Sequence, residues 1–222
     1  MRFLLIHTSG GEGSVALADT ERATSQGAVV AVEALPGRTS SERLVPAVRR
    51  LMEASGWALR ELTAVVVVHG PGSFTGVRVG LSAGKGLSEA GGVPLIAVSR
   101  LALLAGGDGG GTVHAALDAG RGEFYYGEYV GRRLQREALL GEDEVRAAVG
   151  GGVLVVCEAK VAEALGGLHP TLVAEPSAGA ALPFAVERAL VGDFDDAAMV
   201  DANYLRRTDA EIFAKPTASL AK

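Results

Sequence analysis

Apolar and polar positions change period several times along the chain, and the changes mark out the elements. RFLLIHTS (2–9) is a continuous apolar run closed by hydroxyls, the pattern of a buried strand. GGEGS turns the chain and VALAD (15–19) is a second strand. After another turn near Gln26-Gly27, AVVAVEAL (28–35) is a third, which predicts a β-meander. RTSSERLVPAVRRLMEASG (38–56) moves to a helical period, with Leu44, Val48, Leu51 and Met52 on one face. Thr39 and Glu42 have capping-box spacing, Gly56 suits the stop, and Pro46 predicts a kink or a later start. LTAVVVVH (62–69) is apolar throughout, as in a parallel strand buried on both faces. A glycine-rich helix from about Phe74, the strand VPLIAVS (93–99) and the short helix RLALLAG (100–106) complete a βββαβαβα order.

The composition then changes to a flexible turn, GGDGGG (106–111), and the order begins again. TVHAALDA (112–119), FYYGEYV (124–130) and GRRLQREALL (131–140) predict strands, followed by a helix over EDEVRAAVG, a buried strand over GVLVVCE and a helix over KVAEALG. In FYYGEYV, alternation puts Phe124 and Tyr126 on one face and Tyr125 on the other. ALPFAVERAL (181–190) is an amphipathic helix, and NYLRRTDAEIF (203–213) is polar and irregular. LLIHTSGGEGSVALAD and AALDAGRGEFYYGEYV both run strand, small polar turn, strand, with His7 opposite Asp118. A unit repeated at about half the chain length predicts two similar α/β lobes, 1–105 and 106–222.

Charge and composition narrow the functions. The formal net charge of −5 argues against a broad basic surface for nucleic acid, so any service to RNA is expected to run through a partner. The single cysteine, Cys157, rules out a disulfide within the chain and zinc-type cysteine spacing. It is expected to be a buried strand thiol in a reducing compartment. The short apolar run at the N-terminus is a strand, not a signal peptide, and no stretch approaches the ~18 apolar residues of a membrane span. A cytoplasmic location without membrane contact is the expectation.

HGPGSFTGVRVGLSAGKG (69–86) imitates a phosphate loop, but Gly80 to Lys85 is one residue short of a Walker A motif. Gly86 stands where the Mg²⁺-binding hydroxyl belongs, and a dinucleotide G-x-G-x-x-G fails at Thr75. Gly76, Gly80 and Gly84, extended by Ser88, instead make a bare helical stripe against which another backbone can lie closely. That neighbour is either the helix at 40–55 or another chain, with Phe74, Val77, Leu81 and Leu87 turned to the sheet. In the second case Gly80→Leu breaks a complex and leaves the lobe folded. GPGSFT is a turn capped by Ser73, or an anion site on the amides of the helix start, with Ser73 and Thr75 as contacts. Asp118, at a strand end, is a turn cap or an anion contact. The four histidines have no metal-ligand spacing. No base is placed for the hydroxyls of Thr8, Ser9 or Ser73.

GPGSFTGVRVGLSAGKGLSEAGGVPLIAVSRLALLA (70–105) closely resembles the TsaB family, also called YeaZ. SSERLVPAV (40–48), ALDAGRGEFYYGEY (116–129) and NYLRRTDAE (203–211) are similar to that family's other blocks and stand in its order. The resemblance implies two actin-like lobes of the sugar kinase, Hsp70 and actin superfamily (ASKHA, RNase H-like). It implies a non-catalytic subunit that supports synthesis of N6-threonylcarbamoyladenosine (t6A) in tRNAs reading codons that begin with A. Partners would be a TsaD-type transferase subunit and a TsaE-type ATPase, with a homodimer when the chain is alone and tRNA reached indirectly. No cofactor would be held by this chain alone; ATP or ADP would belong to the partner complex. No metal or catalytic residue is expected, and the label M22 peptidase homologue implies no proteolysis. Helices 40–55 and 74–90 would form the partner face, with Leu44, Val48, Met52, Gly76, Gly80 and Gly84 as contacts. The chain departs from the family at His7, usually Asp, which weakens any nucleotide site of its own, and at Ser40, often His. The alternatives are an ATP-dependent kinase of the same superfamily and a metallopeptidase-like hydrolase.

Overall fold

The computed structural model describes residues 1–22, 28–106 and 110–205. The turn at Gln26-Gly27, the centre of the 106–111 glycine run and the end of the 203–213 segment lie outside them.

The first half runs β1 (Arg2–His7), β2 (Gly13–Asp19), β3 (Val29–Leu35), α1 (Ser40–Ser55), β4 (Ala64–Val68), α2 (Phe74–Gly91), β5 (Leu95–Val98) and α3 (Arg100–Ala105). Its strands form one sheet in the order β3-β2-β1-β4-β5. The first three strands pair antiparallel, and β1, β4 and β5 pair parallel. The second half runs β6 (Thr112–Gly120), β7 (Glu123–Val130), β8 (Arg133–Gly141), α4 (Glu142–Val149), β9 (Val153–Val156), α5 (Ala159–Ala164), β10 (Thr171–Leu172) and α6 (Leu182–Leu190). Its sheet order is β10-β9-β6-β7-β8, the same arrangement read from the other end. The same sheet occurs twice, so the fold is a two-lobed actin-like α/β architecture. The two-residue β10, Thr171–Leu172, is too short to show a period, and the sequence pattern misses it.

Alternation along β1 divides the first lobe's interior. Leu4 and Ile6 face a core under α1 and α2, with Leu44, Val48, Met52 and Leu81. Phe3 and Leu5 face a second core that joins the two sheets through Leu101 to Ala105 of α3 and Ala178, Ala181 and Ala185. The helices exchange sides: α3 packs on β6 and β7, and α6 packs on β1, β4 and β5. Phe124 and Tyr126 fill the outer core of the second lobe, and Tyr125 lies on the opposite face.

Two local expectations change. Thr39 does not cap α1; a 3-10 turn over Gly37–Thr39 precedes the helix, and the Thr39 hydroxyl donates to the Pro36 carbonyl at 2.8 Å. Pro46 does not delay the start of α1, which runs from Ser40. Pro46 sits on the exposed face, where water can solvate the Glu42 carbonyl that loses its helical donor. Gly56 ends α1 in the left-handed conformation, as expected.

Candidate functional site

The α2 entry is built against the end of β1. The Ser73 amide donates to the Ser9 carbonyl (2.8 Å), and the Ser73 hydroxyl caps α2 by accepting from the Gly76 amide (3.3 Å). The Thr8 hydroxyl donates to the Gly76 carbonyl at 2.6 Å. A Cβ on Gly76 would overlap the Thr8 carbonyl, and one on Gly80 would overlap the Thr8 hydroxyl. At Gly84 it would stand 3.3 Å from Val67 Cβ. The bare stripe therefore lies on β1 and β4 of its own lobe, not on α1 and not on another chain. All three glycines are buried, which removes them as partner contacts. The helix is bare there because a strand end, with its carbonyl and hydroxyl, needs the space. Leu44, Val48 and Met52 also face inward, at 1, 3 and 6% exposure, as core residues under α1. Leu44 has no outer surface to offer. Val48 and Met52 reach the edge of a groove of about 240 Å³ between α1 and α2, also lined by Val45, Trp57, Leu59 and Leu87. Val45, one position along from the predicted face, is 54% exposed. Phe74, expected on the sheet side, is exposed, while Val77 and Leu81 are buried.

Ser73 and Thr75 line a cavity of about 590 Å³ between the starts of α1 and α2, together with Thr8, Ser40 and Ser41. Asp118 does not join them. Its carboxylate pairs with Lys160 at 2.5 Å, a contact that holds the Asp118 carboxyl below its usual range. Its amide donates to Glu158 at 2.8 Å. The three residues named as anion contacts do not form one site.

The junction between the lobes, at the carboxyl ends of β1 and β9, holds residues that the sequence did not single out. Arg100, the first residue of α3, is 3% exposed. Its Nε and Nη2 donate to Glu175 at 2.8 and 2.6 Å, and Glu158 is 3.5 Å away. An arginine opening an otherwise apolar six-residue helix was the one available signal; Glu175, in VAEPSA, gave none. Burial works to raise the Glu175 carboxyl, but facing His7 and Arg100 bring it down to about 2. Burial pushes the half-buried Cys157 thiol up to about 12, so it is not a nucleophile at neutral pH.

His7 is wholly buried, and burial lowers its pKa, so it is neutral. Its Nδ1 accepts from the Ser9 amide at 3.3 Å, which leaves the proton on Nε2. Nε2 has no hydrogen-bond partner; the nearest acceptor, Glu175 Oε1, is 3.5 Å away. Ser9, His7 and Glu175 stand in the order nucleophile, base, carboxylate, with Ser9 Oγ 3.4 Å from His7 Nδ1. Both links are long, and Ser9 and His7 have no exposed surface, so no substrate reaches them. Among the described residues, no group of three or more His, Cys, Asp or Glu could hold a metal ion. Nor is any of their helices long and apolar enough to cross a membrane.

Comparison with known proteins gives this geometry a family. Residues 11–151 match the model of the family TsaD: tRNA N6-adenosine threonylcarbamoyltransferase. The chain is 38% identical over 133 residues to the tRNA threonylcarbamoyladenosine biosynthesis protein TsaB of Escherichia coli K12, covering 58% of this chain and 55% of that one. It is 35% identical over 113 residues to the Bacillus subtilis 168 protein of the same name, covering 50% and 49%. The chain thus spans about half the length of these curated relatives. The solved structure of YeaZ from Pseudomonas aeruginosa superimposes with a TM-score of 0.75 at 29% identity, covering 92% of this chain and 99% of that one. The chain belongs to the family that the transferase model describes, and within it to the TsaB (YeaZ) proteins.

Proposed function

We propose that this chain is a non-catalytic subunit of the machinery that makes t6A in tRNAs reading codons that begin with A. It binds and activates a TsaD-type transferase, alongside a TsaE-type ATPase. The observation that carries this reading is the buried Arg100–Glu175 pair between the lobes. Where a two-lobed enzyme would bind its substrate, the chain places its own Arg100 and Glu175. The shared family with a threonylcarbamoyltransferase, together with relatives named for t6A biosynthesis, supplies the reaction that such a subunit serves. The same pair, filling that position, speaks against an independent kinase, and the enclosed Ser9 and His7 speak against a hydrolase. The partner face is the outer α1–α2 groove around Val45, Trp57 and Leu87. Alone, the chain pairs with a second copy through that face. ATP or ADP is held in the complex, and tRNA is reached through the partner, in keeping with the chain's net charge of −5.

Reconstitution tests the proposal. Transferase and ATPase subunits from the same organism are incubated with substrate tRNA, with and without this chain, and the nucleosides are analysed by mass spectrometry. The modified nucleoside is expected at full yield with the chain and near background without it. Full modification in its absence overturns the assignment.

A further inference from the structure

Among the described residues, the chain crosses between its two sheets twice. The first crossing follows α3; the second runs through 173–177 from β10 back to the first sheet, where the Ala178 amide donates to the Ser14 hydroxyl at 2.8 Å. Arg100 begins the helix that leads into the first crossing, and Glu175 is the middle residue of the second. Their two parallel hydrogen bonds, 2.8 and 2.6 Å, join the crossings directly.

Both lobes are shaped around this pair. On the first-lobe side, a Cβ on Gly72 would stand 3.1 Å from Arg100 Nη1, and one on Gly10 would overlap the Glu175 carboxylate. Two glycine loops of the first lobe thus run close beside the pair. From the second lobe, Glu158 comes within 3.5 Å of Arg100 Nη2 and Cys157 Sγ within 3.8 Å. His7 Nε2, which has no hydrogen-bond partner, lies 3.5 Å from Glu175 Oε1.

We propose that the Arg100–Glu175 pair is an interlobe latch that sets the angle between the two lobes, so that the chain meets its partners as one rigid body. Apolar packing of α3 and α6 between the sheets is non-directional and tolerates sliding of packed helices. A bidentate pair has a fixed geometry, and the lobes cannot rotate apart without separating two largely buried ions. The hinge at which two-lobed proteins close on a ligand is thereby tied shut from within.

The test measures interlobe distance in the full chain. Nitroxide labels are placed at Arg60→Cys on the first lobe and Gln135→Cys on the second, both exposed sites, in a Cys157→Ser background. Pulsed dipolar spectroscopy should give one narrow distance distribution for the latched protein. Arg100→Met with Glu175→Met removes the pair as a whole, the change least costly to a buried ion pair, and should broaden and shift the distribution. Glu175→Gln, which keeps the shape and removes the charge, should shift it in the same direction by less. Thermal melts establish which variants are folded, and if the double variant is not, Glu175→Gln decides alone. Distributions that coincide with the parent's in folded variants overturn the latch.

Discussion

Gly80→Leu is expected to destabilise the first lobe by about 3 kcal/mol or more, not to dissect a complex from an undisturbed subunit. At Gly80 even a Cβ overlaps the Thr8 hydroxyl, and beyond it stands Ile6 of the central strand. Thr8 cannot move aside cheaply, because its hydroxyl is bonded to the Gly76 carbonyl and its own carbonyl touches Gly76. Overpacking usually costs about 1–3 kcal/mol where side chains can shift; against a strand end, about 3 kcal/mol or more is expected. That is a large share of a total stability of about 5–15 kcal/mol. For a chain of this size it lowers the melting temperature by about 2–4 °C per kcal/mol. Gly86→Ala is the control. Gly86 lies in the same helix, is exposed, and has nothing within 4 Å of its would-be Cβ. With no clash to oppose the propensity gain, that change should stabilise by about 1 kcal/mol. Calorimetric melts of both variants check the pair of signs. A Gly80→Leu protein melting with the parent would return the glycine stripe to the surface.

The glycine stripe illustrates what could be read from the residues alone. Spacing by four correctly put Gly76, Gly80 and Gly84 on one helical face. Which neighbour covered that face was beyond spacing, because a helix, another chain and a strand end all ask for the same absence of side chains. The succession of elements along the chain, β10 aside, was legible for a different reason: each change of period between 2 and 3.6 is local, and the strand-turn-strand unit occurs twice. The exchange of α3 and α6 between the sheets was not legible, since either helix is apolar enough to cover either sheet. The Arg100–Glu175 pair spans 75 residues, and no local pattern records it. The exposed apolar position of α1 lies one residue from the expected contacts for a related reason. The apolar positions at 44, 48 and 52 are the strongest helical signal in α1 because they are core. An outward contact such as Val45 reads in sequence as an interruption of the pattern.

Val45→Asp should separate partner binding from folding. Val45 is 54% exposed on α1 and, with Trp57, Leu59 and Leu87, forms the apolar lining of the α1–α2 groove, with Arg49 and Glu53 at its rim. Valine and aspartate have similar helix propensities, and the new carboxylate stands one helical turn from Arg49, itself paired with Glu53 at 2.7 Å. Stability should therefore stay within about 0.5 kcal/mol of the parent, as for surface substitutions in general. Binding should not. If the groove is the centre of the interface with the transferase subunit, the substitution forces a carboxylate into a dry apolar contact. Central interface positions cost about 2 kcal/mol or more when disrupted, and each 1.4 kcal/mol is about tenfold in Kd. Titration calorimetry of the two subunits should show affinity falling by more than about tenfold, with t6A yield at limiting subunit concentration falling alongside. A change confined to affinity and restored by excess subunit would mark Val45 as a docking residue and leave activation to other parts of the face. Undiminished affinity in a variant that melts with the parent would move the interface away from α1 and α2.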